Sequence, residues 1–331
     1  MNAAQPTAKI TATGRFLPDR VLTNRDLEQM VDTTEEWIVE RTGIVERRIA
    51  PAEMGVTEMG ARAAERALAK AGIEARDIDL LIVTTATPDR WLPSTSCEIQ
   101  ARIGAIGKSA AFDLHAACTG FLYALTMAEG HVAGGRADTV LVVAAEKMSS
   151  IIDWDDRSTC ILFGDGAGAA IVQRSENGEG ILASHQRSDG NFADLLERPA
   201  GGAANPLDVE GLRAKEHLMK MSGREIFKLA VRRMADAGRQ VLRDAGLKGE
   251  DVDLLVPHQA NVRIIESTAR YSRIPMEKVF VNLNRYGNMS SASIPVALDE
   301  AVEQGLVGPG SVVLTAAFGA GLTWGAAAIR W

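Results

Sequence analysis

One segment of this chain occurs twice. Ala71-Gly72-Ile73-Glu74-Ala75-Arg76-Asp77-Ile78-Asp79-Leu80-Leu81-Ile82-Val83 returns, about half a chain later, as Ala245-Gly246-Leu247-Lys248-Gly249-Glu250-Asp251-Val252-Asp253-Leu254-Leu255-Val256-Pro257. Each copy follows a stretch with apolar residues at helical spacing, Glu58 to Lys70 in one and Glu225 to Asp244 in the other, closed by Gly72 or Gly246. Each ends in an unbroken apolar run, as a strand covered on both faces of a sheet requires. Further pairs keep the same order: Thr139–Ala145 resembles Ser311–Ala317, and Gly166–Val172 resembles Trp324–Arg330. Parts of this kind recur by chance in α/β proteins, but three pairs in one order favour duplication. The expected fold is α/β, with two copies of one unit, roughly 1–174 and 175–331, packed as layers of helix and sheet.

The duplication also places chemistry. Cys118 follows the strand Ala110–Leu114 and precedes a helix over Thr119–Val132, which leads to the strand at Val140. Asn288 precedes a helix over Ser291–Glu303, which leads to the strand at Val312, so the two residues occupy equivalent corners. Halves packed about a pseudo-twofold axis bring those corners together. His258 ends the second copy of the repeated strand, just after Pro257, and points to the same seam.

A thiol, an imidazole and a carboxamide suit acyl transfer through a thioester, the thiolate holding the acyl group while the other two donate to a developing oxyanion. A helix start is expected to lower the Cys118 pKa. Cys97 and Cys160 lack that setting and read as core residues. With three cysteines and no CxxC spacing, neither a disulfide framework nor a zinc site is supported, and no metal is expected. The small-residue stretch Ala317–Gly325 can bring backbone N–H groups, with that of Cys118, to a carbonyl oxygen, or can be simply a tight turn between strands.

Other features are weaker. Thr33-Thr34-Glu35-Glu36 fits a capping box, after which Trp37 and Arg41 share a helix face and can hold an adenine ring between them. Arg224, Lys228 and Arg232 recur every fourth residue, with Arg263 on the next helix, and can dock an acidic carrier protein, although charge stripes are usually solvated faces. Gly164-Asp165-Gly166-Ala167-Gly168-Ala169 loosely fits a dinucleotide fingerprint, but it runs into strand-like residues, so a nicotinamide or flavin site is rejected.

The net charge of −7 argues against general nucleic-acid binding. Met1–Lys9 is polar, and no apolar run is long enough to span a bilayer. A soluble cytoplasmic protein with no membrane partner is the expectation.

Taken together, the motifs resemble those of β-ketoacyl-acyl carrier protein synthase III, the initiating condensing enzymes of type II fatty acid synthesis within the thiolase superfamily. The resemblance rests on Thr34-Glu35-Glu36-Trp37-Ile38 with Arg41-Thr42-Gly43-Ile44, on Asp113–Phe121, Phe163–Gly168 and Pro257–Asn261, on Gly287–Ser293 and on Trp324-Gly325. It implies a thiolase-like αβαβα fold and a homodimer. It makes Cys118 the acyl acceptor, and His258 and Asn288 the pair that promotes malonyl decarboxylation. The family's coenzyme A contacts fall on Trp37, Arg41, Arg157, Phe227, Ala260 and Asn261, and its carrier-protein contacts on Lys228 and Arg263, beside Arg224. Backbone oxyanion donors would be Cys118 and Ala320.

The chain departs from the family pattern in three places: Gly319-Ala320-Gly321 instead of three glycines, Arg90-Trp91-Leu92-Pro93 at the acyl pocket, and a long Gly/Ala-rich segment from Arg198 to Ala214. The implied reaction joins an acyl-CoA, most simply acetyl-CoA, to malonyl-acyl carrier protein with loss of CO₂ and no metal or organic cofactor. The rivals are a paralogue priming a polyketide or other secondary pathway, a non-condensing acyltransferase, and a silent binding subunit, which would typically lack the cysteine.

Overall fold

A computed structural model describes residues 7–331; residues 1–6, part of the polar N-terminal stretch, lie outside the described residues. The first sheet contains β1 (Ala8–Phe16), β2 (Leu80–Thr84), β3 (Ala110–Leu114), β4 (Thr139–Lys147) and β5 (Asp165–Arg174), in the order β1-β5-β4-β2-β3. The second contains β6 (Gly180–Ser188), β7 (Leu254–Pro257), β8 (Val312–Gly319) and β9 (Thr323–Arg330), in the order β6-β9-β8-β7. Beyond β7 a parallel bridge joins Leu255 to Val279, where the first sheet has β3 against β2. The two sheets are therefore connected alike. The repeated runs are the parallel partners β2 and β7, buried along their whole length.

Helices were legible from the same periodicity. The helix α1 (Glu35–Thr42) precedes α2 (Val56–Ala71), which covers the outer face of the first sheet through Met59, Ala63 and Ala67. The helices α3 (Gly120–Ala133), α4 (Gly223–Asp244), α5 (Val262–Ser272) and α6 (Ser293–Glu303) complete the layers. The helix α6 is buried on every side from Ser293 to Ala301, and α3 is buried along the face that carries Phe121, Leu125, Ala128 and Val132. Phe121, Leu125, Ile294 and Leu298 share one core with Ile82 and Val142 of the first sheet and with Val256 and Val313 of the second. The outer face of the second sheet packs on α4 through Ala230, Met234 and Val241. The result is helix, sheet, helix, sheet, helix.

Polar groups cross the central layer at defined points. Asp299 of α6, 1% exposed, accepts from Thr13 Oγ1 at 2.8 Å, Arg15 at 2.5 Å and Lys70 at 2.6 Å, so one buried carboxylate ties α6 to β1 and α2.

The structure corrects two local expectations. Thr34, not Thr33, caps α1, its oxygen accepting from the Trp37 amide, and Thr33 Oγ1 is buried without a partner. The capping box fails because Trp37 rather than a carboxylate stands at the third helical position. Cys97 is exposed on the short helix Thr95–Ile103 and is not a core residue, whereas Cys160 is fully buried. As expected, the stretch Gly164–Ala169 lies mainly on β5 and opens no helix.

Candidate active site

Cys118 sits in a tight turn, Ala117–Thr119, that runs straight into α3. The Ala117 backbone is left-handed there, at φ 45°. His258 follows the last residue of β7, and its amide donates to the Ala316 carbonyl of β8 at 2.8 Å. Asn288 is held from both sides: its amide donates to Leu162 O at 2.8 Å, and its carbonyl accepts from Gly164 N at 3.0 Å. Gly287 permits that approach, since its φ is 65° and a Cβ there would stand 2.9 Å from the Leu162 carbonyl. Cys118, His258 and Asn288 line one cavity of about 120 Å³, and are 8%, 2% and 7% exposed. Residues far apart in the sequence thus meet in one pocket.

The run 288–293 orients these groups. Asn288 Oδ1 accepts from the Ser290 amide at 2.8 Å, which leaves the Nδ2 donor for the cavity. Ser293 Oγ lies 2.6 Å from His258 Nδ1, leaving Nε2 as the free ring nitrogen. Ser291 Oγ donates to Glu146 Oε1 at 2.5 Å, and the other Glu146 oxygen accepts from the Ala86 amide at 2.9 Å and from Thr87 Oγ1 at 3.1 Å. Glu146 is fully buried, and burial raises its pKa against the pull of these donors. These four residues were missed as functional candidates. The serines stood inside a quoted motif without a role; for Glu146 the signal was a carboxylate ending the apolar run Val140–Ala145.

Burial also sets the resting charges. It pushes the Cys118 thiol up to about 12, with the Glu146 charge adding to the rise and a hydrogen bond from the Ser290 side chain opposing it. The expected lowering by the helix start is outweighed in the closed pocket, and the thiol is protonated at rest. Burial lowers His258 to about 4, so its ring is neutral near pH 7.

The small-residue stretch is both a strand turn and a wall of the site. It forms the hairpin of β8 and β9, and a Cβ on Gly319 would lie 2.8 Å from the Cys118 amide nitrogen. Thr323 Oγ1 accepts from Thr119 Oγ1 at 2.7 Å and has Ala320 O at 3.1 Å and Ala116 O at 3.2 Å within reach of its one proton, pinning this turn to the cysteine turn. Ala320 and Cys118 share a second, larger cavity of about 690 Å³. Its wall includes Leu92, Met148, Ile151 and Phe163, and Leu92 itself is 86% exposed.

The remaining candidates divide into two groups. Phe227, Ala260 and Asn261 line the small cavity with the three central residues. Trp37, Arg41 and Arg157 do not line it but cluster together: the two guanidinium carbons lie 4.5 and 4.9 Å from the indole centroid. Arg41 is stacked on the indole, so no adenine-wide slot separates the pair. Asn261 links the groups, its Nδ2 donating to Arg41 O at 2.9 Å while its Oδ1 caps α5. Arg224 and Lys228 are exposed on α4, and Arg263, exposed on α5, donates to Glu40 O at 3.0 Å. Among the described residues there is no cluster of histidine, cysteine and carboxylate side chains able to hold a metal, and no helix is long and apolar enough to cross a membrane.

Comparison with known proteins bears on this geometry. The family described as 3-oxoacyl-[acyl-carrier-protein] synthase III matches residues 112–190, and its C-terminal region matches residues 242–331. A protein of Natranaerobius thermophilus named β-ketoacyl-[acyl-carrier-protein] synthase III is 49% identical over 327 residues, spanning 98% of this chain and 99% of its own. The chain belongs to the β-ketoacyl-[acyl-carrier-protein] synthase III family. Its fold is the layered thiolase-like αβαβα arrangement, and it is a condensing acyltransferase by family. The crystal structure of 3-oxoacyl-[acyl-carrier-protein] synthase III from Aquifex aeolicus superposes with a TM-score of 0.90 at 49% identity, covering 98% of this chain and all of that one. The priming β-ketosynthase of the R1128 polyketide pathway superposes at 0.91 but is 36% identical, over the whole of this chain and 98% of its own.

Proposed function

We propose that this synthase III family member joins a short acyl group, most simply acetyl, from coenzyme A to malonyl-acyl carrier protein, releasing CO₂ and coenzyme A and so initiating fatty acid synthesis. Relatives near 50% identity carry the synthase III name, whereas the polyketide-priming structure is at 36%. The observation that carries the reading is the convergence of Cys118, His258 and Asn288, from opposite halves of the chain, on one buried cavity.

In the first half-reaction Cys118 sulfur attacks the thioester carbonyl, and the carbonyl oxygen becomes an oxyanion held by the backbone amides of Cys118 and Ala320. Collapse expels the coenzyme A sulfur, and the proton lost by the cysteine ends on it. In the second, the malonyl carboxylate leaves as CO₂, and its bonding pair passes into an enolate. His258 Nε2 and Asn288 Nδ2 donate to that enolate oxygen. The enolate carbon then attacks the acyl-cysteine carbonyl, and the thiolate departs and takes up a proton from solvent, its first one having left on coenzyme A. A dry pocket strengthens each of these hydrogen bonds, and neutral donors suit it because a buried imidazolium would be costly. Decarboxylation supplies the carbanion, so the proposed reaction uses no metal or redox cofactor.

Coenzyme A would enter past Phe227, Ala260 and Asn261, with the Trp37, Arg41 and Arg157 cluster at its nucleotide end. Arg224, Lys228 and Arg263 would meet the acidic carrier protein. The acyl chain would extend into the larger cavity, where Leu92 and Arg198 to Gly202 coincide with two of this chain's departures from the family pattern. The division of the chain at 174 and 175, homodimerisation and a cytoplasmic location belong to the same reading. The test is product formation: acetyl-CoA with malonyl-acyl carrier protein should yield acetoacetyl-acyl carrier protein by mass. Absence of product across acyl-CoA primers, with malonyl carrier protein or malonyl-CoA, would contradict it.

A further inference from the structure

The hydroxyl of Ser293 has one proton and two acceptors in reach, His258 Nδ1 at 2.6 Å and the Ser290 carbonyl at 3.0 Å. The Ser290 carbonyl already accepts from the Ser293 backbone amide. Nδ1 is buried, and among the described residues Ser293 is its hydrogen-bond partner. On its other side Ser293 Oγ faces the Gln259 amide, a donor at 3.5 Å. The hydroxyl oxygen can accept from that amide and still place its one proton on either acceptor; the ring nitrogen is the nearer of the two, and the Ser290 carbonyl already has a donor. Were Nδ1 protonated instead, Oγ would accept twice and Nε2 would show the cavity a lone pair, repelling an enolate oxygen rather than binding it.

We infer that Ser293 is a positioning residue for the condensation: its hydroxyl donates to His258 Nδ1 and holds the ring proton on Nε2, facing the substrate. The Ser290 amide does the corresponding job for Asn288, by occupying Oδ1. Both enolate donors are therefore set by backbone and hydroxyl groups of one six-residue turn, 288–293. The assignment rests on the proposed decarboxylative reaction. It separates the half-reactions, because acyl transfer to Cys118 relies on backbone donors and needs no particular tautomer of His258.

The test compares the full-length wild type with Ser293→Ala. Malonyl decarboxylation, read as CO₂ release, should fall about tenfold, the scale of losing one orienting hydrogen bond. Acylation of Cys118 by acetyl-CoA, read by intact mass, should stay within about twofold of wild type, which also shows that the variant folds. The ¹⁵N spectrum of His258 gives an independent reading: in the wild type Nε2 should be pyrrole-like and Nδ1 pyridine-like, and in the variant the two shifts should move toward each other. A wild-type spectrum with a pyrrole-like Nδ1 would overturn the inference, as would equal slowing of both half-reactions or slowing of neither. If the wild type releases no CO₂ at all, the functional reading fails instead, and the spectrum still decides the role of Ser293.

Discussion

Replacing Gly319 by alanine tests the contact between the β8–β9 hairpin and the cysteine turn. The new methyl would stand 2.8 Å from the Cys118 amide nitrogen and 3.1 Å from its Cβ, both on a backbone corner that cannot swing aside as a flexible side chain would. Ordinary carbon contacts lie at about 3.5–4.0 Å, so the hairpin and the corner must part by roughly 0.7 Å or more. Overpacking of this kind costs about 1–3 kcal/mol of stability. The functional loss should be larger, because the Cys118 and Ala320 amides must converge on one oxyanion, and misplacement by about 1 Å can cost on the order of 100-fold. Single-turnover acetylation of Cys118, followed by quenched mass spectrometry, should slow by about that factor, with Tm falling by a few degrees. Wild-type acetylation at an unchanged Tm would refute the argument that this turn forms the oxyanion site.

Other expectations follow from the same structure. Asp299→Asn removes the charge shared by Arg15 and Lys70 and should destabilise the fold by about 2 kcal/mol in urea unfolding, a breakage cost discounted because both cations are partly exposed. His258 titrates near 4 in the fold and near 6.5 when unfolded, so the unfolded chain binds the extra proton between those values. Its contribution should be full above pH 6.5 and lost as pH falls toward 4, by about 3 kcal/mol relative to His258→Gln, as read from urea midpoints. Arg224→Glu with Lys228→Glu should raise KM for malonyl-acyl carrier protein about tenfold at low salt and leave KM for acetyl-CoA unchanged.

Much of the fold was legible because the apolar pattern repeats. The runs Leu80–Val83 and Leu254–Pro257 are apolar on successive residues, as a strand covered on both faces tolerates; β2 lies between two parallel strands, and β7 ends its four-strand order with the Leu255–Val279 bridge beyond it. The helix expected over Glu58–Lys70 extends over Val56–Ala71, a difference confined to the ends. The corners carrying Cys118 and Asn288 were legible as positions just before helices, and they do meet. The couplings between corners were not. Ser293 reaches His258 across 35 residues through a turn whose Ser290 is left-handed at φ 46°, and residue spacing does not reveal such a conformation. Nor could spacing reveal that the pocket closes over Cys118 and raises its pKa, because desolvation depends on what covers the sulfur. The cap of α1 was misplaced by one residue because adjacent threonines offer the same oxygen.

The most direct test of the account is intact-protein mass spectrometry of one turnover on Cys118. Incubation with acetyl-CoA should add one acetyl group, absent from Cys118→Ala, and malonyl-acyl carrier protein should then discharge it as acetoacetyl-acyl carrier protein with release of CO₂. An acetyl adduct elsewhere, or one on Cys118 that the malonyl donor leaves in place, would contradict the claim that this pocket joins acyl transfer to decarboxylative condensation.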